Sequence, residues 1–283
     1  KQRGFAMGLN EFAGYLAVAV VAFATGMVAS EFGLRPYPFY IGIVLSFAGL
    51  LTSWFLVKDT KHHVAKEASS SSVAKLKNVF WDTTLFDRNL GSVTQAGLIN
   101  NLNDGMAWGL FPILLAEKNF AISEIAIVTA VYPAVWGIGQ LFTGKMSDHF
   151  CKKSMLFWGM FLQGVALLLF VFASSFTHYI ILASILGWGT AMVYPTFLAT
   201  VAENTNPHDR PKSLGVFRLW RDMGYAIGAI LTGIIADAFG INASVIVVGV
   251  LTVVSSLIIQ NRMHNKPNHP KLTDWIFKGN KQN

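Results

Sequence analysis

The run Ala243-Ser244-Val245-Ile246-Val247-Val248-Gly249-Val250-Leu251-Thr252-Val253-Val254-Ser255-Ser256-Leu257-Ile258-Ile259-Gln260 holds 18 residues and no charge, and its reading decides the fold. A helix rises ~1.5 Å per residue, so this run covers most of the ~30 Å of hydrocarbon in a bilayer. It shows none of the in-out alternation of a barrel strand. A backbone in lipid must also satisfy its own hydrogen bonds, so a helix is the reading that fits. Seven more blocks read the same way: Phe5 to Ala29, Tyr37 to Val57, Leu90 to Ala116, Ser123 to Gly144, Ser154 to Ala173, Tyr179 to Ala202 and Leu214 to Asp237. An all-α integral membrane chain of eight transmembrane helices is predicted.

Composition agrees. Of 283 residues 53% are hydrophobic and only 13% charged, and the mean hydropathy is +0.47, outside the range of ordinary soluble domains. The net charge of +7 would raise nucleic acid as a partner of a soluble protein, but here the cations flank apolar blocks. The lipid bilayer is therefore the expected partner and nucleic acid is not. Cys151 is the one cysteine, which excludes an intrachain disulfide and a thiolate cluster, so no metal or cofactor is expected. No signal peptide is evident, and the start at Lys1 in place of Met raises the expectation of an upstream segment.

Lysine and arginine set the orientation. With eight spans both ends share a side, and the opposite connections hold only Arg35 and Lys118. Setting aside the intramembrane pair Arg218 and Arg221, the other 18 of the 22 basic residues mark the cytosolic face, so both ends are expected there, in a plasma or bacterial inner membrane. The long connection from Lys58 to Asn89 carries Ser69-Ser70-Ser71-Ser72, then Val73, Leu76, Phe80 and Trp81 among Lys75 and Lys77, a pattern that predicts an interfacial amphipathic helix. His62-His63 lacks further ligand-spaced residues and reads as a solvated pair.

Spans one and seven align without a gap at an offset of 207 residues. Arg3, Gly8, Thr25, Gly26, Phe32 and Gly33 fall on Arg210, Gly215, Thr232, Gly233, Phe239 and Gly240. If spans one and two are the counterparts of seven and eight, then spans three to eight form a complete six-helix unit and the earlier unit lacks four helices. The expected organisation is thus 1–57 as the last two helices of an N-terminal half, 58–89 as a cytoplasmic central linker, 90–261 as the C-terminal half and 262–283 as a cytoplasmic tail.

Between spans four and five, on the basic face, runs Gly144-Lys145-Met146-Ser147-Asp148-His149-Phe150-Cys151-Lys152-Lys153-Ser154-Met155-Leu156. This resembles the G-x-L-a-D-r-x-G-r-k-x-x-l signature of the major facilitator superfamily, matching at Gly144, Asp148, Lys152, Lys153 and Leu156. His149 stands for the usual arginine and Cys151 for the usual glycine, which suggests a looser turn. The resemblance implies that the present helices correspond to the fifth through twelfth of a major facilitator-type bundle. It also implies a cytoplasmic latch in which Asp148 faces the start of the first span, near Glu11, and Glu203 balances Lys152 or Arg210. The physical reason is that a carboxylate at a helix end can accept N–H groups from a neighbouring helix terminus.

Polar groups inside the spans mark candidate sites. Span three carries Gln95, Asn100, Asn101, Asn103, Asp104 and Trp108, followed by Pro112. A mid-bilayer carboxylate costs about 2.5–3.5 kcal/mol on insertion scales, so Asp104 should face protein or water. Gly105, Gly109 and Pro112 predict a bend or break beside it. Gln95, Asn100, Asn101, Asp104, Trp108 and Tyr194 are the candidate substrate and ion cavity. Span seven places Arg218, Arg221, Asp222 and Tyr225 on one face. With Glu11 they form a candidate charge network, in which an Arg218–Asp222 pair is expected. Tyr132-Pro133 with Trp136 reads first as packing.

The expected function is secondary active transport of a small solute by alternating access, proton-coupled through Asp104 or Asp222, with Asp104 the better candidate because a nearby arginine opposes protonation of Asp222, by a protein that works as a monomer when full length. The family's exporters carry G-x-x-x-G-P-x-x-G-G on the fifth helix; here Ala17, Val21, Ala22, Thr25 and Gly26 keep only the last glycine, so drug efflux has no signature. No phosphate loop suggests an ATP-driven pump and no nucleophile–base arrangement an enzyme. A transporter-like sensor or scaffold that binds without flux is the alternative of a different class.

Overall fold

The computed structural model describes residues 3–33, 35–58, 65–67, 69 and 73–264. His62-His63, Ser70 to Ser72 and the tail beyond His264 lie outside the described residues. Eight long helices make up the described chain, with no strand among them: α1 Arg3–Phe32, α2 Tyr37–Leu56, α3 Arg88–Glu117, α4 Ile122–His149, α5 Lys152–Phe170, α6 Phe176–Asn204, α7 Arg210–Phe239 and α8 Ile241–Arg262. Among the described residues, α2 and α4 to α8 are long and apolar enough to cross a membrane. α1 and α3 match them in length at 30 residues, but α3 spends its middle on asparagines and an aspartate.

The outer surface carries large apolar side chains that a water-soluble protein would bury, and several polar side chains lie inside beside the apolar core. α2 has no buried residue and leaves Trp54 79% exposed; Ile230, Ile234 and Phe239 of α7 are exposed as well. Inside, Asn100, Asn101, Asp104, Gln140, Gln163 and Thr190 are wholly buried. A bilayer rewards this arrangement, because apolar side chains lose nothing against lipid tails and polar ones must find protein partners.

α3 packs along α7 and α8, α4 along α6 and α1, and α5 along α6 and α8, while α2 packs on α1. Close approach at α3–α7 depends on glycine. A Cβ on Gly228 would lie 2.6 Å from Leu102 O, and one on Gly105 2.7 Å from Tyr225 O. Gly105 is therefore a contact point and not a weak spot. The expected break beside Asp104 does not occur, since α3 runs unbroken from Arg88 to Glu117 with Pro112 inside it. At the end of the bundle away from Asp148, Phe111 stacks on Phe170 at 4.2 Å and the Lys118 amine donates to Ala173 O at 2.8 Å.

The 207-residue offset has a backbone counterpart. α1 and α7 have equal length and shifted bounds. Each ends at a glycine of positive φ, 87° at Gly33 and 85° at Gly240, a conformation glycine adopts without a Cβ penalty. Thr25 donates to Val21 O and Thr232 to Gly228 O, the same four-residue back-bond at matched positions.

The segment before α3 departs from expectation. The amphipathic helix expected through Val73, Leu76, Phe80 and Trp81 shrinks to one turn, Val79–Trp81, continued by a π-helical turn, Asp82–Phe86. Upstream, the Asn206 amide donates to Val73 O and the Leu76 N–H to Asp209. These bonds to the α6–α7 connection occupy backbone groups that a helix would need.

Candidate functional site

α4 does not stop at Gly144 but continues to His149, whose ring bonds Lys145 O. Only Phe150 and Cys151 separate it from α5. Cys151 has φ −60° and is buried, so this turn needs no glycine and is tighter than expected. The Phe5 N–H donates to Asp148 Oδ2 at 2.9 Å, joining the start of α1 to the end of α4. One turn earlier along α4, Gly144 lies against Gly8: a Cβ on Gly8 would meet Gly144 Cα at 3.0 Å and Gln140 O at 2.6 Å. Lys152 pairs with Glu203 at 2.9 Å, whereas Arg210 pairs with Glu67 at 3.2 Å. Lys153 lines a small recess beside Asn204 and His264.

Deeper in the bundle, four helices contribute one side chain each to a cluster around Asp104 of α3. Tyr132 of α4 donates its phenol to one carboxylate oxygen, and Tyr225 of α7 donates to the other at 3.3 Å. Thr190 of α6 shares a hydrogen bond with the Tyr132 phenol at 3.2 Å. All four come from near the middle of their helices, where the surroundings are driest. Tyr132 also forms part of the wall of a cavity of about 320 Å³ between α3 and α4, lined further by Trp108, Phe111, Pro112 and Pro133. Trp108 is 61% exposed into this region, the most open of the expected cavity residues.

Below the cluster, toward Asp148, the Tyr194 phenol donates to Asn101 Oδ1 at 3.0 Å. The Tyr194 ring packs on Trp136 at 4.8 Å and lies 5.6 Å under the Arg221 guanidinium. Asn100 donates to Asn101 at 3.4 Å, while Asn100 Oδ1, Asn101 Nδ2 and both amide atoms of Gln140 are buried without a hydrogen-bond partner. Buried amides left open in this way carry a cost of about 1–3 kcal/mol each, which a ligand or water can recover.

Several expectations need correction. Asp222 pairs with Arg221 at 2.8 Å and not with Arg218, because Arg221 folds back across the Tyr194 and Phe217 rings toward its own neighbour. Tyr225 hydrogen-bonds Asp104. Gln95 donates to Ser92 O and to Ser255 O of α8, so it ties helices together away from the cavity. Asn103 does likewise, bonding Gln163 of α5 at 3.1 Å and Thr252 of α8 at 2.7 Å. Tyr194 lies behind the cavity wall, 3% exposed. Glu11 is part-buried on α1 and feels Arg221 and Arg218 electrostatically. Sequence reasoning read Tyr132 first as packing and did not single out Thr190 or Gln140. The spacing Tyr132, Trp136, Gln140 on one face of an apolar helix was the available signal.

Comparison with known proteins adds an independent line. The sequence model of the family described as Major Facilitator Superfamily matches residues 93–275. The chain is 26% identical over 162 residues to an uncharacterised MFS-type transporter of Methanocaldococcus jannaschii, covering 56% of this chain and 39% of that protein. It is 20% identical over 215 residues to a probable hexose phosphate transport protein of Chlamydia trachomatis, covering 76% and 46%. It is 23% identical over 247 residues to the multidrug resistance protein MdtG of Salmonella arizonae, covering 85% and 59%. The chain thus spans between about two-fifths and three-fifths of the length of these curated relatives.

Proposed function

Since the chain belongs to the Major Facilitator Superfamily, we propose that it forms the last eight membrane-spanning helices of a secondary active transporter that moves a small solute by alternating access. In this reading residues 1–57 end an N-terminal half, 58–89 link the halves, 90–261 are the C-terminal half and 262–283 a tail, with the Asp148 end of the bundle in the cytosol. The polar composition of α3 accounts for its missing the apolarity of a free-standing span, because it crosses the membrane shielded by α7, α8 and α4.

The observation that carries the proposal is Asp104: a carboxylate wholly buried near the middle of α3, held by hydroxyls of two helices, one layer behind a cavity. Placing an ionisable group there is costly and serves no packing purpose that a leucine would not serve better. It gives a proton gradient a group to act on, and Tyr132 links that group to the cavity wall. The Phe5–Asp148 bond and the Gly8–Gly144 approach close the opposite, cytosolic side. Rocking of the halves breaks these contacts and exposes the buried amides to solute.

Relatives named for hexose phosphate transport and for multidrug resistance support a small-molecule substrate without choosing between those chemistries. The test is Asp104→Asn in the whole protein reconstituted in vesicles. Solute exchange down its own gradient should persist while proton-driven accumulation is lost. Accumulation at the wild-type level would overturn the role of Asp104, and binding without any flux in the wild type would make the protein a sensor instead.

A further inference from the structure

The aromatic side chains before α3 have no role in the transport reading. Val79–Trp81 and the π-helical turn Asp82–Phe86 run antiparallel to the first turns of α3, and three bonds fasten them there. Thr94 donates to Thr83 O at 2.8 Å, the Trp220 indole of α7 donates to Thr84 Oγ1 at 3.0 Å, and Arg262 at the end of α8 donates to Leu85 O. Gly91 admits the segment closely, since a Cβ there would stand 2.8 Å from Leu85 O. The inner face is thus held against α3, α7 and α8. The outer face shows Phe80, Trp81, Leu85 and Phe86, with Trp81 49% and Phe86 67% exposed. The Trp81 ring is in contact with both Phe80 and Phe86, at 5.3 and 6.4 Å.

Depth identifies what covers that face. α3 has 30 residues, a length of about 45 Å against ~30 Å of hydrocarbon. Centred on its middle, it extends about five residues beyond the hydrocarbon at each end, so Thr94 and the Thr83 carbonyl it holds lie at the headgroup boundary. This is the level at which tryptophan is most stable in a membrane. The cations sit one layer further out. Arg88 opens α3 and reaches His264 at 3.2 Å, Arg262 closes α8, and Lys75 and Lys77 are exposed on the approach. The two nearby carboxylates are already used as backbone acceptors, Asp82 by Asn78 and Asp87 by Asn89 and Leu90.

We propose that the Val79–Phe86 segment, with Arg88 and Arg262, is a binding site for an anionic phospholipid: the two guanidinium groups take the headgroup phosphate and the Trp81 cluster packs on the start of the acyl chains. The site is independent of the transport reading, since it shares no residue with the Asp104 cluster.

Tryptophan fluorescence of the whole protein in vesicles tests it, with the Trp81 signal taken as the difference between wild type and Trp81→Phe. Brominated phosphatidylglycerol diluted into phosphatidylcholine should quench Trp81 more strongly than brominated phosphatidylcholine at the same fraction and overall charge. Arg88→Gln should reduce that preference about fivefold, and adding Arg262→Gln should remove it. If the double variant fails to fold because Arg262 anchors Leu85, molar salt applied to the wild type provides the same contrast by screening the guanidinium groups. Equal quenching by both lipids would overturn headgroup recognition, and absence of Trp81 quenching by either would show that protein covers the aromatic face.

Discussion

Gly224→Ala offers a test in which local helix preference and tertiary contact predict opposite signs. In the interior of a helix, alanine is favoured over glycine by about 1 kcal/mol. At position 224, however, the new methyl would lie against Leu98 O, with Asn101 Cβ at 3.0 Å and Leu102 N at 3.1 Å. Two of these three neighbours are backbone atoms of α3 and cannot rotate away, so α7 must move outward. Overpacking of this kind costs about 1–3 kcal/mol, and here the upper half of that range applies, leaving a net loss of roughly 1–2 kcal/mol. For a chain of this size that corresponds to a fall of roughly 2–8 °C in apparent Tm. The assay is thermal unfolding of the detergent-solubilised protein followed by loss of the monodisperse peak. Transport should fall with it, because an outward shift of α7 carries the Tyr225 phenol, now 3.3 Å from Asp104, out of hydrogen-bond range. A Tm equal to or above that of the wild type would refute the claim that contact, and not helix propensity, requires glycine here.

Other substitutions separate the roles of the remaining residues. Tyr132→Phe should slow gradient-driven transport. Combined with Asp104→Asn it should add little to the loss from Asp104→Asn alone, because the phenol acts through that carboxylate; additive losses in the double-mutant cycle would contradict this. Asp148→Asn weakens a charge-assisted bond to the Phe5 N–H worth about 1.5–3 kcal/mol, so cysteines placed beside Phe5 on α1 and beside Asp148 on α4 should label more than tenfold faster. Gln163→Leu leaves the Asn103 amide without its acceptor in a dry interior, at about 1–3 kcal/mol. It should lower Tm without altering the coupling of transport to the gradient, and a coupling defect would place Asn103 and Gln163 in the transport path.

The long helices and their order, the near-equivalence of α1 and α7 and the position of Asp148 beside the start of α1 were legible in the residues alone. Each depends on local rules: helix length against bilayer thickness, charges at span ends, and a backbone turn that glycine makes at Gly33 and again at Gly240. Asp104 was legible for the same kind of reason, because a carboxylate in the middle of an apolar span is expensive wherever its neighbours lie.

The partners of these groups were not legible. Tyr132 and Thr190 look like ordinary packing residues in their own helices; Tyr132 reaches Asp104, and Thr190 reaches the Tyr132 phenol, only because α4 and α6 are brought beside α3 at the same depth. Arg218 sits one helical turn from Asp222 and so seems its natural partner, yet the aromatic rings of Tyr194 and Phe217 steer Arg221 onto it instead. Gln95 and Asn103 share a helix with Asn101 and Asp104, but rotation about the α3 axis turns them toward α8 and α5. Sequence thus determined which residues must avoid lipid, since that cost is set by each side chain's own chemistry. Tertiary structure alone decided which of them meet, because hydrogen bonds are short and directional and depend on how separate helices are rotated and staggered against one another.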